Sequence, residues 1–373
     1  MFKVLRRLAS LKITLVGMVL LITGSVLIYG NPADVPMWVV VIPLSFLAIN
    51  LVAAIITNKR INHQPGLLVF HVCLLGLVIV AGFGRLTHLD AHAEIPIGTE
   101  FSADRLLEVR SGVWHSGDLD RVAFIQGPFT VQYAAGLQRG LTHSHVMVKN
   151  STGQWIEKVI GDDRVLVIED YRFYTTHNKG FSTFLSWTPD GGQPVTGVVN
   201  MPSYPLFDYK QDNHWTPPGT QLDIKFWLQI NAGLTQDQAW TLDARNSSAV
   251  LVVTNNDVRR ELRVGDRIPL PGGELQFDKL TMWMGYRIFY DPTIQWMFFI
   301  AVAGVLGLGF HFWQKINLQP WMEDEPEEPL SEILPEPIRP SITQQPITQP
   351  KKDQTMPIST SSQDLAATSK GRS

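Results

Sequence analysis

Apolar and polar residues segregate along this chain in blocks much longer than a helical turn. No charged side chain occurs between Lys12 and Asp34, between Asp34 and Lys59, between Arg60 and Arg85, or between Asp291 and Lys315. Each gap suits a helix of about 20 residues, the length that crosses a bilayer core, so four spans are expected near 13–30, 37–57, 66–84 and 294–313. Between the third and fourth spans the pattern changes to short alternating or β-branched runs, at 129–133, 144–149, 164–168, 222–229, 249–253, 274–280 and 286–290. These are strand signals. Turn-forming clusters separate them, at Asn150-Ser151-Thr152-Gly153, Gly161-Asp162-Asp163, Pro189-Asp190-Gly191-Gly192, Asn255-Asn256-Asp257 and Pro271-Gly272-Gly273. Residues 201–219, rich in proline and aromatics, read as a long loop.

The predicted fold is a polytopic α-helical membrane protein with four transmembrane helices and a large, mainly antiparallel β domain of sandwich or barrel-like form. Its expected organisation is a cytoplasmic N-terminus (1–12), three transmembrane helices (13–84), an extracytoplasmic β domain (85–293), a fourth transmembrane helix (294–314) and a disordered cytoplasmic tail (315–373). Basic residues set the orientation. Lys3, Arg6, Arg7 and Lys12 precede the first span, Lys59 and Arg60 join the second to the third, and Lys315 follows the fourth. By the positive-inside rule both termini are expected to be cytoplasmic and the β domain exported, which suits a multi-pass membrane protein. The first span reads as an uncleaved anchor. The tail from Gln319 opens on the acidic run Glu323-Asp324-Glu325-Pro326-Glu327-Glu328 and is otherwise rich in Pro, Gln, Ser and Thr.

Composition narrows the chemistry. With 31 basic against 34 acidic residues and no basic stripe, nucleic acid is not an expected partner; the lipid bilayer is. Cys73 is the only cysteine, so a disulfide within the exported domain and a C-x-x-C redox role are both excluded. Phosphate-binding loops, nucleophile elbows and zinc-protease helices are missing as well.

An ionisable side chain inside a membrane span is costly, which singles out His71, about five residues into the third span and roughly 7 to 8 Å below the cytoplasmic surface. A buried imidazole there can ligate haem or a metal, transfer a proton, or fasten one helix to another. Asn50 and His311 fall at comparable depth. Asn50 is a candidate acceptor for the second ring nitrogen of His71, whereas an interfacial aromatic belt with Phe310, Phe312 and Trp313 accounts for His311 as readily as ligation does. His88 and His92 stand at i, i+4 if the third helix continues past Arg85, a spacing that can clasp a metal, although a solvated face explains them better. His143 and His145 share one face of a strand. Trp187, Trp215, Trp227, Trp240 and Trp283 are expected in the β core.

Several of these segments carry a family resemblance. Leu8-Ala9-Ser10-Leu11-Lys12-Ile13-Thr14 leads into the first span, Pro65-Gly66 and Phe70-His71 mark the third, and Gly285-Tyr286-Arg287-Ile288-Phe289-Tyr290-Asp291-Pro292 leads into the fourth. With three spans before an exported β domain and one after it, the chain resembles the ResB (CcsB) family of System II cytochrome c biogenesis. The resemblance implies a non-autonomous subunit of a cytochrome c synthase, handling haem for covalent attachment to exported apocytochrome c. It implies transient binding of haem b, with His71 as an axial ligand and the other ligand supplied by a ResC (CcsA)-like membrane partner. Thiol reduction would fall to a thioredoxin-like protein. No catalytic residue is assigned on this reading. The competing readings are a non-catalytic membrane-anchored β adaptor scaffolding an envelope complex, with His71 and Asn50 only fastening helices, and an envelope enzyme centred on His143 or His177.

Overall fold

The computed structural model describes residues 2–318 except 32–33, 116, 151, 232–236, 244, 246 and 256–257. The tail from Gln319 and most of the Asn255-Asn256-Asp257 turn lie outside the described residues. The first part of the chain is helical: α1 (Phe2–Leu8), α2 (Leu11–Gly30), α3 (Trp38–Thr57), the short α4 (Lys59–Asn62) and α5 (Pro65–Thr87). The strands follow as β1 (Leu89–Pro96), β2 (Leu107–Ser111), β3 (Phe124–Ala134), β4 (Gln138–Lys149), β5 (Trp155–Gly161), β6 (Leu166–Ile168), β7 (Tyr171–Pro189) and β8 (Val195–Asn200). They continue as β9 (Asp212–Trp215), β10 (Ile224–Ile230), β11 (Trp240–Leu242), β12 (Ala249–Asn255), β13 (Val258–Leu262), β14 (Arg267–Leu270) and β15 (Gly273–Tyr290), and α6 (Ile294–Leu318) closes the described chain.

Four of these helices, α2, α3, α5 and α6, are long and apolar enough to cross a membrane. Their ends follow local chemistry. Pro65 opens α5 at a first-turn position where its missing N–H costs nothing. Ahead of α6, the Asp291 carboxylate accepts from the Thr293 amide and hydroxyl at 2.8 and 2.6 Å, satisfying donors that the helix leaves unpaired. Small residues set the helix packing. A Cβ on Gly66 would lie 2.6 Å from the Gly307 carbonyl and 2.7 Å from the His311 amide, so α5 and α6 approach backbone to backbone there. The α5 positions Gly66, Val69, Cys73 and Gly76 meet His311, Gly307, Gly304 and Ile300 of α6 in antiparallel order.

Among the described residues the β region comprises three antiparallel sheets. The largest has seven strands in the order β2-β1-β15-β7-β6, with β14 beside β15 and β8 beside β7; the others run β13-β12-β10-β9 and β11-β3-β4-β5. One apolar core joins them, with Phe124, Phe173, Leu185, Phe226, Leu251 and Phe277 fully buried. The β7/β15 ladder is its backbone: registered pairs run from Gly273 opposite Pro189 to Phe289 opposite Arg172, with irregularities near Asp278 and Gly285.

Several expectations are corrected. The third helix passes Arg85 by two residues only and ends at Thr87, before His88 and His92; residues 89–96 form β1, where Leu89, Ala91, Ala93 and Ile95 point into the core. The separate runs 274–280 and 286–290 are one strand, since Met282, Trp283 and Met284 between them are buried and ladder-paired. The 201–219 segment is not wholly loop, because β9 pairs with β10. The fourth helix runs to Leu318, past the expected boundary at 314. Trp187 and Trp283 are core residues, but Trp227 is 41% exposed, under the Arg259 guanidinium at 5.9 Å.

Candidate functional site

Helix α5 presents His71 on the side away from α6. At 100° per residue, Gly66, Val69, Cys73 and Gly76 cluster on one face and His71 lies roughly 180° from their mean direction. The side chain is half-buried. Its Nδ1 is 2.7 Å from the Leu67 carbonyl one turn earlier. A carbonyl only accepts, so Nδ1 carries the proton and donates, which leaves the lone pair of a neutral ring on Nε2. Nε2 makes no hydrogen bond with a described residue. The helix thus holds the ring in one tautomer, with a metal-binding nitrogen open.

Asn50 is not the acceptor that fixes this ring. It is buried on α3, where its amide donates to the Leu8 and Ser10 carbonyls and its oxygen accepts from the Thr14 hydroxyl at 2.7 Å. Its work is to fasten the α1–α2 connection to α3. His311 lies on the α6 face that packs against Gly66, its ring 5.5 Å from that of Phe312, so the histidines of the two apolar helices do not share an interface.

The β-domain histidines are dispersed. His88 terminates α5 and His92 lies on β1, 3.4 Å from the Glu108 carboxylate, so the helical clasp does not form. His143 and His145 do share an outward strand face, with His145 paired to Glu157 at 2.6 Å. His177 accepts from Arg139 at 2.9 Å. Among the described residues no three His, Cys, Asp or Glu side chains gather where they would hold a metal ion.

Two features have no clear signal in the sequence. The first ties α5 to the β region. Trp114 donates its amide to the Leu86 carbonyl, Gly112 its amide to the His88 carbonyl, and His115 Nδ1 donates to the Thr87 carbonyl at 3.1 Å. A Cβ on Gly112 would fall 2.1 Å from the Leu86 oxygen, so only glycine permits the approach. His115 Nε2 in turn accepts from the Tyr171 hydroxyl at 3.1 Å. Carbonyls that a helix end leaves open are thereby satisfied by the domain it enters.

The second is a buried polar cluster between β4 and β7. Lys179 is fully buried and donates to Thr142 Oγ1 at 3.2 Å. Asp162 accepts from the Thr142 amide at 3.0 Å and from Arg139. Burial, reinforced by the Arg139 charge and opposed by Asp162, pushes the Lys179 ammonium down to about 7. Burial also opposes ionisation of Asp162, but the Thr142 amide and the Arg139 guanidinium outweigh it and hold the carboxyl below its usual range. Comparison with protein-family models and with curated proteins finds no match for this chain.

Proposed function

We propose that this chain is the haem-handling, β-domain subunit of a System II cytochrome c synthase, with α2, α3, α5 and α6 across a bacterial cytoplasmic membrane. On this reading both termini are cytoplasmic and the β region is extracytoplasmic. At about 1.5 Å per residue, α5 is about 35 Å long, a fit to a hydrocarbon layer of about 30 Å with its interfaces. The basic residues at the α1 and α4 ends support the orientation. The observation that carries the proposal is the half-buried His71 ring, set by the Leu67 carbonyl with Nε2 free.

Haem is cargo here, and the residues present fit one side of its iron. One imidazole offers one ligand, and the ResB resemblance assigns the second to a ResC-like partner; the α6 face holding His311, turned elsewhere, is compatible with that. The chain's own tasks are to hold the ring orientation through the i−4 carbonyl and to exclude water with the apolar residues of α5. Apocytochrome c is the client on the β side, and its thiols are kept reduced by a thioredoxin-like protein, since Cys73 packs against Gly304 inside the helix pair.

Asn50 favours a second reading for its own part of the molecule. Its bonds fasten helices, as a non-catalytic membrane-anchored β adaptor would require. The two readings separate in one experiment: purify the chain with its ResC-like partner and record the haem spectrum. The synthase reading expects His71→Ala to lose bound haem and c-type cytochrome maturation together. Full haem retention in that variant, or normal maturation in a deletion strain, refutes it.

A further inference from the structure

Where the helices meet the β region, a cleft of about 760 Å³ opens between the α2–α3 connection, the end of α5, the start of α6 and strands β1, β2 and β15. Its walls divide by chemistry. Ile28, Met37, Ala81 and Met297 line the helical side, Arg85 stands at the last turn of α5, and Arg110 and Arg287 line the β side. Two carboxylates share the cleft, and both are engaged. Asp90 holds Arg287 through two bonds at 2.9 and 2.7 Å, and Asp291 caps α6. Burial lowers the affinity of His88 for a proton and leaves that ring neutral near pH 7. The guanidinium groups of Arg85 and Arg110 remain, with no hydrogen bond or ion pair to a described residue. Arg110 feels the charge of Asp90 across the β1/β2 pair, but that carboxylate is already held by Arg287.

Two unpaired guanidinium groups above an apolar wall select an amphiphile with an acidic head, and the volume is that of an ordinary ligand site. We infer that this cleft binds an anionic phospholipid, its phosphate on Arg85 and Arg110 and its acyl chains against Ala81 and Met297. Arg85 lies 20 residues beyond Pro65 on α5, about 30 Å along the axis, which is the headgroup level of the far leaflet when Pro65 is at the near one. The inference rests on the membrane placement proposed above.

The test uses the full chain. It is first inserted into phosphatidylcholine vesicles and washed with alkaline carbonate, then purified and equilibrated with mixed micelles of phosphatidylglycerol and phosphatidylcholine bearing the same acyl chains. Native mass spectrometry counts the bound lipids. One phosphatidylglycerol per chain should be retained in preference to phosphatidylcholine. Arg85→Gln and Arg110→Gln should each reduce that preference about fivefold, the effect of one cation at an anionic lipid surface. Neither substitution breaks a bond in the protein, so the fold should be retained. An unchanged preference in the double variant overturns the inference, as does displacement of the lipid by inorganic phosphate, which would make the cleft a simple anion site. Extraction of the chain by carbonate refutes the membrane placement itself; stable insertion without lipid preference refutes only the cleft.

Discussion

Replacing Lys179 by methionine should stabilise the protein, most strongly below pH 7. The wild-type ammonium has one neutral partner, Thr142 Oγ1, in a site that excludes water and faces Arg139. In the folded chain it gives up its proton at about 7 instead of 10.5. Between those values the unfolded chain binds a proton that the folded chain does not, so wild-type stability rises with pH by about 1.4 kcal/mol per pH unit. Below pH 7 both states are protonated, the slope from this residue vanishes and the full cost stands, bounded at about 5 kcal/mol. Methionine matches the length of the stem without the charge, and after loss of the Thr142 bond a gain of about 2 kcal/mol or more should remain at pH 6.5. The assay is denaturant unfolding of the full chain in detergent, followed by fluorescence of the buried Trp187 and Trp283, for both proteins at pH 6.5, 8 and 9.5. The difference between the two curves cancels other titrations and should shrink steadily as pH rises. A variant less stable at every pH, with a difference that does not change, would show that the cluster stabilises the charged amine and that the reasoning is wrong.

Other expectations concern the helices and one surface pair. Gly304→Cys should form a disulfide with Cys73 on mild oxidation, because the new Cβ lies 3.1 Å from that of Cys73 and a separation of the helices by a few tenths of an ångström brings the pair into the disulfide range of about 3.5–4.5 Å; a reduction-sensitive mobility shift reports it, and its absence would refute the α5/α6 register. Asn50→Leu should cost about 1–2 kcal/mol by leaving the Leu8 carbonyl and Thr14 hydroxyl unpaired, yet, on the proposed haem reading, leave unchanged the haem content that His71→Ala should abolish; thermal unfolding and the haem spectrum read the two effects separately. Burial raises the proton affinity of Asp90, but the Arg287 bond outweighs it and holds the carboxyl below its usual range. Its stabilisation is therefore present above the ordinary carboxylate range and lost as pH falls through the lowered value; Arg287→Gln should move the onset of acid unfolding to higher pH, and an unmoved onset would remove the pair from the account.

The long-range pattern was legible because it is coarse: charge-free stretches have few alternatives to apolar helices, and all four formed. The strands were legible where apolar residues alternate, as in 144–149, or form a continuous β-branched run, as in 249–253. They were missed where polar residues are buried by partners that one sequence window does not show. The run Thr175-Thr176-His177-Asn178-Lys179-Gly180 carries no strand pattern, yet it lies within β7, held by Tyr286 of β15 opposite Thr175 and Met284 opposite Lys179 on either side of a register shift. The alternation of Leu89, Ala91, Ala93 and Ile95 was present in the sequence, but the two histidines set four apart were read only for the clasp they would form if the third helix continued. His71 stood out because its cost depends on its own helix. The role of Asn50 depends on a carbonyl 42 residues earlier, and that contact exists only once the helices pack.

The paired rods α5 and α6 pass directly into the paired strands β1 and β15, with Leu89 opposite Tyr290 at the crossing and the 112–115 loop clamped on the α5 end. A hinge at this level would have to break a β ladder and a helix cap together. A push on the β region is therefore transmitted to the far end of α5, where His71 lies, as rotation or tilt of one stiff body. Docking of a protein on the strands and the angle of an imidazole tens of ångströms away become, in mechanical terms, a single degree of freedom.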